Sequence, residues 1–177
     1  QLGAELWAYA PYNLLPHLYW LTEKNYGHVY YVDNKPRIFD AKIFPQEEAC
    51  GTNGANFNAS ACVHPNGWGT IMVVGMRFGG AAIRADLDKT DGTSIKDSDP
   101  ELRSAFIIFD ITNPEQPPTL LGEIAMPKMG FATNYPAMVV MKDGDKNGTF
   151  GPYNQANPAG GENLWLHAFG SGPANLE

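Results

Sequence analysis

The residues best suited to chemistry lie in Asp143-Gly144-Asp145-Lys146-Asn147-Gly148-Thr149. Oxygen donors stand at the first, third and fifth places of this run and glycine at the sixth. That is the opening pattern of an EF-hand-type calcium loop, in which short carboxylates wrap a hard cation and glycine allows the sharp turn. Counting on, the ninth place is Gly151 and the twelfth is Asn154, so the late acidic ligand is missing. A hairpin tip built from Asp-Gly and Asn-Gly turns explains the same residues, and both readings stand. Calcium on Asp143, Asp145 and Asn147 would bind weakly, with a Kd of about 10⁻⁴ to 10⁻³ M, and would order a loop without entering a reaction. No catalytic residue and no other cofactor is expected.

Two cysteines, Cys50 and Cys62, flank a segment rich in Asn, Gly and Ala. With no third cysteine and no Cys-x-x-Cys, a metal site is weakly supported, whereas a disulfide closing a loop of this size stabilises by about 3 kcal/mol. A pair of reduced thiols is the alternative. His17, His28, His64 and His167 lack the paired spacing of zinc ligands and read as aromatic rings with a polar handle. Gly75-x-x-x-Gly79-Gly80 lacks the Gly-Lys-Ser/Thr ending of a phosphate loop and reads as a tight turn. Gly170-Ser171-Gly172 lacks the setting of a hydrolase nucleophile and also reads as a turn. Asp86, Asp88 and Asp91 have a different spacing from a calcium loop and sit among turn-formers, so residues 84 to 102 form a solvated loop. Trp7, Trp20, Trp68 and Trp165 lie in or beside strand-like runs, where packing is the expected role.

The elements that must position these residues are short strands. Leu6 to Ala10 alternates like a strand, and Pro11 to Leu21 has near-helical apolar spacing with Pro16 in its middle, which predicts one or two short helical turns. Tyr30 to Val32 and Ile38 to Phe44 read as a hairpin around Asn34-Lys35-Pro36. Further strands are expected at Thr70 to Met76, Ala105 to Ile111, Leu120 to Ile124, Ala137 to Met141 and Asn163 to Phe169. Period-2 patterning places Val73, Phe106, Ile108, Ile111, Val139 and Leu166 on buried faces.

The 177 residues are 44% hydrophobic and 18% charged, which predicts a folded core. A net charge of −7 supplies no basic footprint for nucleic acid or an anionic membrane surface, so neither partner is expected. No apolar run approaches the roughly 18 residues that span a bilayer.

Glu5 to Pro16, His28 to Asp33, Gly67 to Gly80, Arg103 to Pro114, Gly130 to Pro136 and Trp165 to Pro173 together resemble the C-terminal β-propeller of the PilY family, in the family's order and over nearly the whole chain. PilY-type proteins help assemble type IV pili and sit at the pilus tip. The resemblance implies an all-β fold of propeller blades with a short helical stretch near the N-terminus. Residues 1–28 would be an opening strand and helical turns, 29–126 a first blade and 127–177 the start of the next. Blades take about 40 to 50 residues and four or more close a ring, so about two to three blades would make this a fragment of a larger propeller.

The resemblance further implies a non-catalytic, exported protein at the bacterial surface, pilus tip or outer membrane face. Its implied partners are minor pilins, the remaining blades and a surface ligand. The secreted character of the family favours the oxidised Cys50–Cys62 pair. The family binds calcium on a later blade than those matched, so no residue of that site carries over. The rival class is an enzyme, a propeller of the quinoprotein dehydrogenase type. Its marks would be regular Trp-containing docking motifs and a central Asp base, and neither is evident in the sequence.

Overall fold

The computed structural model describes residues 3–45, 47, 50, 61–86, 94–142 and 163–174. It is mostly β, with antiparallel sheets and one short N-terminal helix. Among the described residues, eight strands run in chain order: β1 (Arg37–Lys42), β2 (Trp68–Gly75), β3 (Ile83–Arg84), β4 (Glu101–Leu102), β5 (Phe106–Asp110), β6 (Thr119–Ile124), β7 (Ala137–Lys142) and β8 (Asn163–Ala168). The main sheet has four strands in the order β1-β2-β5-β6, and β3-β4 and β7-β8 form two separate ribbons. All the pairings are antiparallel.

The main sheet is apolar on both faces because its two central strands carry unbroken runs of β-branched and aromatic residues. Ile71 and Val73 of β2 and Phe106 of β5 face one cluster with Ala41, Met129 and Ala132, and Met138, Trp165 and Phe169 pack onto it from the β7-β8 region. Ile107 and Phe109 face the other side, where they join Leu14, Met76 and Ala105, with Tyr9, Tyr31, Met72 and Val74 against them. The second ribbon thus covers one face and the N-terminal segment covers the other. A bulge interrupts the β5-β6 register after Ile108, which pairs with Gly122 while Phe109 pairs with Leu120.

Six expected strands, Ile38 to Phe44 among them, appear within about two residues of their predicted limits. The expected hairpin does not form: β1 pairs with β2, with Ile38 opposite Met72, and Tyr30 to Val32 is not a strand. Side-chain bonds to other parts of the chain hold that segment elsewhere. Asn34 donates from Nδ2 to Ala132 O at 3.1 Å and to Asn134 O at 3.3 Å, and the Tyr31 hydroxyl donates to His17 O at 3.1 Å. Leu6 to Ala10 is not a strand either. It lies over β5, where Tyr9 meets the Phe109 ring edge-on at 5.0 Å.

The helical stretch is a single 3-10 helix, Tyr12–Thr22, with Pro16 inside and Asn13, Leu14 and His17 buried. Val73 and Phe106 are buried as expected, and Ile108 and Ile111 partly so. Val139 and Leu166 are instead 42% and 37% exposed, because they pair on the outer face of the second ribbon while Met138 and Trp165 turn inward. Among the described residues, no helix is long and apolar enough to cross a membrane.

Candidate functional site

Two arrangements gather charged groups: a histidine clasp at the start of β2 and a cleft beyond its end. The clasp begins with the disulfide between Cys50 and Cys62, as expected from sequence. Two residues past Cys62, His64 stacks on Phe44 at 3.7 Å and 14°. Its Nδ1 lies 2.5 Å from Glu47 Oε1 and its Nε2 2.9 Å from Asp110 Oδ2. Glu47 Oε2 also accepts the backbone N–H groups of Val63 and His64, at 2.8 and 3.3 Å. At the end of β5, Asp110 Oδ1 accepts from the Thr112 backbone and hydroxyl, an Asx turn that ends the strand.

The electrostatics follow from these bonds. Burial works to raise the Glu47 carboxyl, but the Val63 N–H and the His64 ring and N–H outweigh it and hold its pKa below the usual value. Asp110 is likewise lowered: burial opposes ionisation, and the Thr112 hydroxyl and N–H together with His64 overcome it. A carboxylate only accepts, so both His64 contacts are hydrogen bonds only when each ring nitrogen carries a proton. That leaves no lone pair for a general base. The cluster fastens the disulfide-bearing segment to the main sheet.

The cleft, of about 290 Å³, is built where three loops converge. After β2 the chain turns through Met76-Arg77-Phe78-Gly79, closed by Gly79 N–H donating to Met76 O at 2.9 Å. A Cβ on Gly79 would fall 1.7 Å from Tyr31 O, and Gly80 takes φ +72°, so both positions need glycine. The tight-turn reading of this glycine run holds. Arg103 and Ser104 form a second wall and Lys128 to Phe131 a third. The Arg103 guanidinium donates to Met129 O at 3.0 Å and to the Glu101 carboxylate, which also pairs with Arg84 at 3.6 Å. The turn expected at Gly170-Ser171-Gly172 does not form: Gly172 N–H donates to Phe131 O at 2.9 Å, Phe131 N–H to Pro173 O at 2.9 Å, and Ser171 Oγ accepts Gly130 N–H at 2.8 Å, so the segment runs alongside Gly130 and Phe131. The lining combines donors on Arg103 and Lys128, an acceptor on Glu101 and an apolar floor of Met129 and Phe131, a composition suited to recognition. Its one hydroxyl, on Ser104, is 2% exposed and already accepts Ala132 N–H.

The remaining sequence candidates are dispersed. Asp143, Asp145 and Asn147 lie outside the described residues, as do Asp88 and Asp91. The edge of the acidic loop is organised by Arg84, whose Nη1 donates to Asp97 O at 2.7 Å and Asp99 O at 2.8 Å. His17 donates from Nε2 to Ala81 O at 2.9 Å, and His28 meets the Tyr30 ring edge-on at 4.5 Å. His167 packs against Phe106 and Phe169 with neither ring nitrogen hydrogen-bonded, and burial lowers its pKa. Trp68 meets Trp165 edge-on at 5.5 Å, joining the main sheet to the second ribbon, which is the packing role expected.

Sequence reasoning missed Glu47, Asp110 and Glu123. Asp110 carried a signal in Asp-x-Thr at a strand end; Glu47 carried none. Glu123 of β6 accepts the Tyr9 hydroxyl at 2.6 Å, the Tyr12 and Asn13 N–H groups at 2.7 and 3.1 Å, and Asn13 Nδ2 at 2.7 Å, so a distant carboxylate caps the 3-10 helix. Burial and the adjacent Glu123 push the Tyr9 phenol pKa up. Searches against family models, curated proteins and solved structures found no match to this chain.

Proposed function

We propose that the chain is a non-catalytic binding and assembly module, a PilY-like segment of propeller-type blades exported to the bacterial surface or pilus tip. There it supports pilus biogenesis through minor pilins and takes part in attachment. The observation that carries this reading is the four-stranded antiparallel sheet with two apolar faces and a second antiparallel ribbon stacked on one of them. A propeller blade is likewise a small antiparallel sheet with apolar faces packed against its neighbours; here the second ribbon takes one face and the N-terminal segment the other. The disulfide is in keeping with an oxidising compartment. The engaged nitrogens of His64 and the satisfied hydroxyl of Ser104 favour recognition over catalysis. The cleft between Gly80, Arg103 and Lys128 is the surface assigned to the ligand.

The test is an in-frame deletion of residues 29–126 in the source bacterium, with surface pili counted by electron microscopy and total pilin followed by immunoblot. Loss of pili at unchanged pilin level is expected. Normal piliation together with normal surface attachment would refute the proposal.

A further inference from the structure

We propose that Glu47, Cys50 and Cys62, with His64 as fourth ligand, form a zinc site when the disulfide is reduced, so that one loop has two alternative staples. Donor atoms of Glu47, Cys50 and Cys62 lie within 4.8 Å of one another. His64 Nδ1 stands 2.5 Å from Glu47 Oε1, at the edge of the same group. Two thiolates, an imidazole and a carboxylate are a donor set suited to tetrahedral zinc. The sulfurs, once separate, need to move apart only to the ~3.8 Å that two Zn–S bonds of about 2.3 Å require.

A second feature points the same way. In metal sites the ligating histidine presents one nitrogen to the metal and donates its other N–H to a carboxylate, which fixes ring orientation. His64 has the outer half of that arrangement: Nε2 lies 2.9 Å from Asp110 Oδ2, while Nδ1 lies against Glu47 Oε1 at 2.5 Å and would exchange that carboxylate contact for the metal. Asp110 is itself held by Thr112 and is 11% exposed, so the orienting group is rigid. Phe44 stacked on the ring restricts its swing.

The redox step balances with a dithiol as reductant. The Cys50–Cys62 bond takes two electrons and two protons from the dithiol, which closes its own disulfide. Zinc then displaces the two thiol protons from Cys50 and Cys62 and the Nδ1 proton from His64, while Nε2–H stays on Asp110. The disulfide serves an oxidising compartment and zinc a reducing one.

The experiment titrates the full chain with Zn²⁺ against a chromophoric chelator, in oxidised and dithiol-reduced forms, and repeats the titration with Co²⁺ to read thiolate charge-transfer absorption. The reduced protein should bind one equivalent with a thiolate band and the oxidised protein should bind none at the same concentrations. Cys62→Ser should lower affinity at least ~100-fold, and Asp110→Asn, which acts through His64, about 10- to 100-fold. If reduction loosens the fold, Zn²⁺ should restore the near-UV circular dichroism of the oxidised form. Zinc binding by the reduced chain no tighter than that of a Cys50→Ser/Cys62→Ser variant, folded or not, would overturn the proposal.

Discussion

At the scale of single residues, the surroundings of His64 and His167 predict losses of stability on acidification in two separate pH windows. Glu47 and Asp110 are depressed below their usual values of 4.5 and 3.8, so the folded state binds fewer protons than the unfolded chain as pH falls. Their contribution is complete above about pH 5 and is lost as pH drops through the folded values. His64→Ala should lower stability by about 1–3 kcal/mol at pH 7, since two partly buried carboxylates lose a donor. Urea denaturation at pH 7 measures it.

His167 gives a separate window. Its folded pKa is lowered from 6.5 by burial, so the stability tied to its neutral ring is complete above pH 6.5 and declines as pH falls below that value. The melting temperature should therefore fall between pH 7 and 5.5, before the carboxylates titrate. His167→Phe, which keeps an aromatic ring beside Phe106 and Phe169, should flatten that part of the profile. An unchanged profile would place the pH dependence elsewhere.

At the scale of elements, the 3-10 helix has little intrinsic stability, because runs of this geometry longer than three or four residues are uncommon. It is held by Leu14 in the core and by the Glu123 carboxylate across its first turn. Glu123→Gln should cost about 1.5–3 kcal/mol, the range for hydrogen bonds to a charged group, and should speed hydrogen exchange at Tyr12 and Asn13 more than at β2. The second ribbon depends on the other face. Phe106 is fully buried and its ring lies 4.7 Å from Phe169, so Phe106→Ala should cost about 3–5 kcal/mol and expose Trp165, read as a red shift in tryptophan emission.

At the scale of the whole molecule, the main sheet ends on β1 and β6, each with one hydrogen-bonded neighbour among the described strands. β6 carries Leu120 and Leu121 at 43% and 42% exposure, and the N-terminal segment adds Trp7, Tyr19 and Trp20 at 44%, 60% and 43%. Open edges beside exposed apolar side chains favour strand addition. Sedimentation velocity should therefore show concentration-dependent self-association, reduced by Leu121→Lys on the bulged edge. A compact monomer at all concentrations would contradict this.

The strands were legible because their signals are local. β-branched and aromatic runs stopped by Gly, Asn and Pro mark β2, β5 and β6 wherever the rest of the chain lies. The Cys50–Cys62 pairing was legible for a similar reason, being the one intrachain pairing two cysteines allow. Strand partners were not legible: β1 joins β2 across the disulfide segment instead of the nearer Tyr30 to Val32, because Asn34 spends its amide on Ala132 far along the chain and the Tyr31 hydroxyl is bound to His17 O in the 3-10 helix. The buried side of β7 and β8 was hidden as well, since Met138 and Val139 are both apolar and only packing against the main sheet selects between them. The clasp of Glu47, His64 and Asp110 was hidden most deeply. Asp110 lies 46 residues from His64 and further still from Glu47, and the three meet only after β2 and β5 pair, so no local spacing could encode it.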